Sequence, residues 1–420
     1  MRFPLHFVAA VSAVLVTTWM AHMRSGSEEE VEGVKLWHYE GVPIEGGVGP
    51  ESFAFDPRGE GPYTGVSDGR IIKWQRSENR WLNFSVTSLH SAVESVPTTS
   101  FVEAFGLVGN AVLLLPVQDT TSDDGKVDKV VFGRDEACGG AYEEHPKKEH
   151  LCGRPLGLCF SMLSNELYIA DAYNGLVAVG PNGGTPSRLI SILEEEEKGE
   201  ALSFTNGLDV DPRTGAVYFT SSSSKYQRRN YVSLILSRDK SGKLMKYEPQ
   251  SEKVSILLNN LSFANGVALS KDGDYILIIE TTTCRVLRYW LETSKAGTLE
   301  VFAVLPGFPD NIKRSPRGGF WVGINSRREK LIQWILSYPW IGQVLLKLPL
   351  DTTKAFSYLS KLKRSSGLAI RLSEYGEILE VFEDKSWNKG GSISEVEERD
   401  GILWVGSIDA PFVRKYTIHK

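Results

Sequence analysis

A short phrase recurs along this chain and restricts what it can fold into. An apolar, strand-like run meets a polar residue or pair, and a turn rich in Asp, Ser, Pro and Gly closes it. The phrase reads Pro50-Glu51-Ser52-Phe53-Ala54-Phe55-Asp56-Pro57 first, then Thr205-Asn206-Gly207-Leu208-Asp209-Val210-Asp211-Pro212. It returns as Ala264-Asn265-Gly266-Val267-Ala268-Leu269-Ser270 and Pro309-Asp310-Asn311-Ile312, with weaker copies at Arg154-Pro155-Leu156-Gly157 and Ser366-Gly367-Leu368-Ala369. Repeats spaced by tens of residues mean a solenoid or a propeller, in which each unit buries its apolar face only against its neighbours. The spacing from Asn206 to Asn265 is 59 residues and from Asn265 to Asn311 is 46, room for one four-stranded blade each.

Between the phrases lie short apolar strands such as Val217-Tyr218-Phe219-Thr220, Ile276-Leu277-Ile278-Ile279 and Gly319-Phe320-Trp321-Val322-Gly323, separated by Gly, Asn, Asp and Pro. Six phrase starts, near Glu51, Pro155, Asn206, Asn265, Asn311 and Gly367, predict an all-β six-bladed β-propeller over residues 34–420. The first interval, Glu51 to Pro155, is too long for one blade. Residues of about 91–133 fill the excess as an inserted loop or as an artefact of gene translation. The run Leu331–Leu346, with Trp334, Tyr338 and Trp340, is interrupted by Pro339 and too short to span a bilayer. It reads as a helix over one propeller face, serving as a packed cross-connection, a substrate lid or a membrane-surface contact.

Composition narrows the partners. A net charge of −5 supplies no basic face for nucleic acid. The apolar stretch 4–21 between Arg2 and Arg24 predicts that residues 1–23 are a signal peptide or a signal-anchor helix, followed by a polar linker at 24–33. Either form sends the rest of the chain into the secretory pathway, in the lumen of the endoplasmic reticulum or vacuole or as a single-pass type II membrane protein. The sequons at Asn83 and Asn260 suit that compartment. Of the four cysteines, Cys138 and Cys152 bracket a polar loop that reads as disulfide-clipped, or as part of a zinc site with His145 and His150; Cys159 and Cys284 read as buried thiols.

The phrases, with Gly61-Pro62-Tyr63-Thr64-Gly65-Val66-Ser67-Asp68-Gly69-Arg70-Ile71, Cys152-Gly153-Arg154-Pro155-Leu156-Gly157 and Asp400-Gly401-Ile402-Leu403-Trp404-Val405-Gly406-Ser407, resemble the strictosidine synthase-like family, including its adipocyte plasma-membrane-associated branch. The resemblance implies a six-bladed propeller and a Cys138–Cys152 disulfide. The family's named reaction is a Pictet–Spengler condensation of an amine with an aldehyde in alkaloid biosynthesis, and it requires a pocket carboxylate. Counting back from Asp400-Gly401 puts Ser394 at that position and Ser392 where a histidine is expected. A hydroxyl does not serve as a general base near neutral pH. The resemblance therefore implies the fold more strongly than that reaction.

The wider set of paraoxonase- and gluconolactonase-like propellers is similar at Glu51, Asn206, Asn265, Asp310 and Asn311. That similarity implies a channel Ca²⁺, and hard oxygen donors converging from several blades suit that cation. Asn206-Gly207 or Asn265-Gly266 alone would read as a turn. Asp310 is the expected general base or nucleophile, and Arg154 a contact for a substrate anion or carbonyl, or a structural residue. No P-loop or dinucleotide motif is present, and none of the seven histidines lies in a blade phrase. Three functions stay open: a calcium-dependent hydrolase of esters or lactones acting on a small molecule, a condensing synthase, and a non-catalytic binding propeller with a structural metal.

Overall fold

The computed structural model describes residues 39–88, 138–190, 202–328, 330–349, 351–354, 367–384 and 392–418. The leader, the linker and the segment 91–133 lie outside them. Six four-stranded antiparallel sheets account for every strand described. Their inner strands are Phe53–Ala54, Pro155–Phe160, Thr205–Val210, Ala264–Leu269, Gly307–Arg314 and Val396–Arg399, for blades 1 to 6 in that order. The ring closes when Tyr39–Pro43 becomes the outer strand of blade 6, with Val42 opposite Val413. This contact joins the two ends of the domain and leaves no open end to the ring of blades.

The sequence gives six blades, but one phrase marked the wrong strand. Gly367–Leu372 is the third strand of blade 5, and the inner strand of blade 6 follows Ser392-Ile393-Ser394-Glu395 instead. Gly-Leu-Ala carries only the apolar character common to every blade strand. The true sixth inner strand reads Val-Glu-Glu-Arg and hides in a charged run.

Blade strands are apolar on both faces because each sheet is sandwiched between two others. All six residues of Tyr275–Glu280 are buried. One side chain set packs with Phe320, Val322 and Ile370 of blade 5 and the other with Tyr218 and Leu244 of blade 3. The Asn-Gly pairs are not turns. Gly207 and Gly266 lie within inner strands at register shifts, and neither has a positive φ. They are glycine because the inner strands crowd around the axis. A Cβ on Gly207 would lie 2.7 Å from Asn265 O, and one on Gly266 would lie 2.6 Å from Asn311 Cα. Gly266→Ala is therefore expected to cost about 1–3 kcal/mol by forcing two backbones apart, read as a lowered urea midpoint. A loss below about 0.5 kcal/mol would show that the ring relaxes freely.

Among the described residues four α-helices interrupt the pattern. Helix α1 (His145–Cys152) precedes blade 2, and α2 (Tyr231–Ser237) follows the second strand of blade 3. The apolar run of blade 5 forms two helices rather than one, α3 (Lys330–Ser337) and α4 (Pro339–Lys347). Pro339 sets the break, since proline fits the first helical turn but not a helix interior. Gly342 lets α4 sit against α2, where a Cβ would come within 2.2 Å of Leu236 O. Among the described residues no helix is long and apolar enough to cross a membrane. Cys138 and Cys152 form a disulfide that holds α1 against the loop before it. His145 is buried and its Nδ1 lies 2.6 Å from Ser67 Oγ, so among the described residues it serves a hydrogen bond and no zinc cluster forms. Cys284 is buried as expected, whereas Cys159 is partly exposed. Asn83 and Asn260 both stand on the outside, on exposed strand positions.

Candidate functional site

The inner strands all start at one end of the ring, and a pocket opens there. Its volume is about 800 Å³, counting the part open to solvent. Glu51, Asn206, Asn265 and Asp310 line it, one from each of blades 1, 3, 4 and 5. Two residues before the last three stand Phe204, Phe263 and Phe308, which form its apolar wall with Tyr231, Val232 and Ile235 of α2, Ile332 of α3 and Ile408. This repeated Phe-x-Asn/Asp was visible in the sequence and marks the wall together with the floor.

The amide orientations follow from donor accounting. Asn206 Nδ2 donates to Ser222 Oγ (3.0 Å), whose own proton goes to Ala264 O (2.7 Å). Asn265 Nδ2 donates to Thr281 Oγ1 (3.1 Å), whose proton goes to Pro309 O (2.8 Å). Each hydroxyl has spent its one proton on a carbonyl of the next blade, so it can only accept from the amide. That fixes both amide oxygens on the other side. Asn206 Oδ1 and Asn265 Oδ1 are buried without a hydrogen-bond partner. Buried, unpaired acceptors of this kind are rare and call for a ligand, an ion or water.

Asp310 accepts from Asn265 Nδ2 (2.8 Å) and, at longer range, from Asn325 Nδ2 (3.4 Å). Burial, then the charge of Glu51, push its pKa up to about 7 against these hydrogen bonds. Glu51 is only 4% exposed and takes two guanidiniums on one oxygen: Arg154 Nη2 at 3.1 Å and Arg228 Nη2 at 3.4 Å, both to Oε2. Arg228 also meets Glu149 of α1 at 2.7 Å, and Tyr173 OH donates to Glu149 at 3.0 Å. Burial works against the charge of Arg228, but Glu149 and Glu51 outweigh it and raise its pKa. Nothing in the repeat phrase pointed to Arg228, Asn325 or Glu149. Asn325 lies on the second strand of blade 5, Glu149 on α1 and Arg228 in the turn before α2, and only the folded ring brings the three together.

Three expected residues have other tasks. Arg154 is 1% exposed and does not line the pocket; its Nη2 donates to Gly49 O (3.0 Å) and Glu51, fastening the seam of blades 1 and 2. The substrate-contact reading of Arg154 therefore gives way to the structural one. Ser394 is fully buried and its Oγ donates to Glu51 O at 2.7 Å, so the hydroxyl is used between blades 6 and 1 and does not face the pocket. Asn311 is buried and does not line the pocket either: its backbone N–H donates to Ser394 O (2.9 Å), and its side chain lies against Gly266. Two carboxylates and two oriented amide oxygens remain as the donor set.

Farther along the channel lies a second charged group. Glu395 accepts from Phe53 N–H (2.7 Å) and faces Lys313 Nζ at 3.9 Å, and Lys313 donates to Leu158 O across the channel (3.2 Å). Burial pushes Glu395 up to about 8, and burial likewise pushes Glu397 up to about 7. A carboxyl whose folded pKa lies above its unfolded value stabilises below the unfolded pKa and loses that contribution as pH rises through the folded one. Glu397→Gln is thus expected to leave the melting temperature unchanged near pH 4.5 and to raise it near pH 8. A variant equally stabilised, or destabilised, at both pH values would contradict this.

A ring of six antiparallel blades with a pocket at one end of its axis, floored by convergent oxygen atoms, defines the six-bladed propeller class. The strictosidine synthase model matches residues 206–294, and the strictosidine synthase-like N-terminal model residues 35–74. Protein STRICTOSIDINE SYNTHASE-LIKE 2 of Arabidopsis thaliana is 48% identical over 93% of this chain and 92% of its own length. The adipocyte plasma membrane-associated protein of Salmo salar is 35% identical over 72% and 73%. The chain belongs to the strictosidine synthase-like family. Its fold is shared with regucalcin of Agrobacterium tumefaciens, titled a calcium-binding protein (TM-score 0.52, 12% identity, 92% of this chain and 96% of that one). It is shared also with a gluconolactonase of Xanthomonas campestris (TM-score 0.50, 10% identity, 92% and 99%).

Proposed function

We propose that this protein is a metal-dependent hydrolase of apolar esters or lactones, with Ca²⁺ held by Glu51, Asn206, Asn265 and Asp310. The observation that carries the reading is the pair of orphaned, orientation-fixed amide oxygens beside two carboxylates. Carboxylate and amide oxygens with water completing the shell are a calcium-type donor set. The guanidiniums of Arg154 and Arg228 already balance Glu51, which favours modest rather than very tight cation affinity. When bound, the ion would polarise a substrate carbonyl and lower the pKa of a coordinated water.

The chain's own residues supply the rest. The phenylalanines and α2 desolvate the acyl or ring portion of the substrate and hold it over the polar floor. Asp310, as a carboxylate, takes the proton from the attacking water as oxygen adds to the carbonyl carbon. It returns that proton to the departing alkoxide as the C–O bond breaks. Asn325 and Asn265 hold the two Asp310 oxygens in place through this exchange.

The condensing-synthase reading is less favoured, because the Ser394 hydroxyl is committed to a backbone carbonyl. The test is twofold: calorimetric titration of the purified chain with Ca²⁺, and turnover of a panel of aryl esters and lactones before and after chelation. A bound ion with chelator-sensitive turnover supports the hydrolase. A bound ion without turnover on any member points to a binding propeller, and condensation of an aryl amine with an aldehyde would establish the synthase. The leader would place this site in the secretory lumen.

A further inference from the structure

The pocket is roofed by α2 and α3, and α4 packs beside α2. The outer surface of this cap is unusual for a chain of its composition. Trp334 on α3, Tyr338 at the junction and Trp340 on α4 are 39%, 48% and 65% exposed. Trp and Tyr exposed together suit the boundary between water and acyl chains, where the ring is buried and its N–H or O–H stays hydrated. Charge points the same way. Along 228–240 the exposed basic residues Arg229, Arg238 and Lys240 accompany a single acidic residue, Asp239, which is buried, and exposed Asp409 is the acid that faces Tyr231 from blade 6. Arg328 and Lys347 are exposed at the two ends of the α3–α4 pair, where Asp351 is the exposed acid among the described residues. A basic face on a chain of net charge −5 is a local asymmetry, and it is complementary to anionic headgroups.

We infer that the outer face of α3 and α4, with the basic edge of α2, docks on an anionic lipid bilayer. Docking sets the pocket mouth against the membrane, because Ile332 lines the pocket on the same short helix that carries Trp334. An apolar substrate then passes from the acyl phase into an apolar pocket without crossing water. The docking surface itself is independent of the hydrolase reading: it stands whether or not an ester is turned over.

The experiment uses the full chain reconstituted in vesicles of phosphatidylcholine alone and of phosphatidylcholine with phosphatidylserine, so any leader-mediated attachment is common to both. Hydrogen–deuterium exchange is read over 330–347 and over the turn at 249–252 at the opposite end of the ring. The expected result is exchange about tenfold slower in 330–347 with phosphatidylserine only, reversed by salt, with 249–252 unchanged. Replacing the exposed groups in a Trp340→Ser, Arg238→Ser, Lys240→Ser variant should remove the protection while the melting temperature holds. Equal exchange in the two vesicle types, or equal protection at 249–252, would overturn the inference.

Discussion

Asp310→Asn is expected to reduce ester or lactone turnover by about 10³-fold, within the range seen when a positioned general base is removed, and to weaken Ca²⁺ binding in the same variant. The substitution keeps the shape and still offers an oxygen to Asn265 Nδ2, now 2.8 Å from Asp310 Oδ1. It removes a buried carboxylate whose ionisation is opposed by burial and by Glu51. Folding stability should therefore hold or rise slightly while activity collapses. That combination separates a functional carboxylate from a structural one, for which stability and activity fall together. Turnover within about threefold of wild type would remove Asp310 from the chemistry.

Glu51→Gln should act in the opposite way. Arg154 is 1% exposed, its Nε has no hydrogen-bond partner, and Glu51 is the carboxylate it touches. Loss of that charge leaves Arg154 buried among carbonyl oxygens, with the Arg228 guanidinium close by and Glu149 as the remaining acid. Breaking one side of a buried ion pair costs about 3–5 kcal/mol, since the surviving charge is neither solvated nor neutralised. The expected readout is a large drop in the urea midpoint with an unchanged slope, together with loss of Ca²⁺ binding. A double replacement, Glu51→Gln with Arg154→Met, should recover much of the stability but not the ion. A loss under about 1 kcal/mol for Glu51→Gln alone would mean that the pair is screened by water reaching the pocket.

The two variants also show why one donor set looks redundant in sequence and is not. Glu51 and Asp310 are both acids at blade starts, but Glu51 is tied to two arginines and Asp310 to two amides. Only Asp310 is left with the chemistry of an unpaired buried acid. In a linear reading the difference is invisible, because Arg228 is 177 residues from Glu51 and reaches it from an insertion in blade 3.

The repeat phrase by itself determined much of the rest. Apolar strands of blade length, in copies at blade spacing, bury both faces only by stacking around an axis, and equivalent positions of such a ring converge. Hence the propeller class, the convergence of Glu51, Asn206, Asn265 and Asp310, and the resemblance to this family were legible before any coordinates, while the count of six rested on a Gly367 phrase that marks a third strand. The cysteine pair enclosing a polar loop was legible as well.

Tertiary structure decided what each converging side chain is free to do. Ser394, Arg154 and Asn311 sit at the right blade positions, yet neighbouring strands consume or cover them. Asn206 and Asn265 keep free oxygens because hydroxyls of their own blades, committed to carbonyls of the next, claim the amide nitrogens. Such assignments depend on which atoms of distant segments lie within 3 Å or so of one another, and a one-dimensional pattern encodes the periodicity of strands but not the order in which hydrogen-bonding groups are used up.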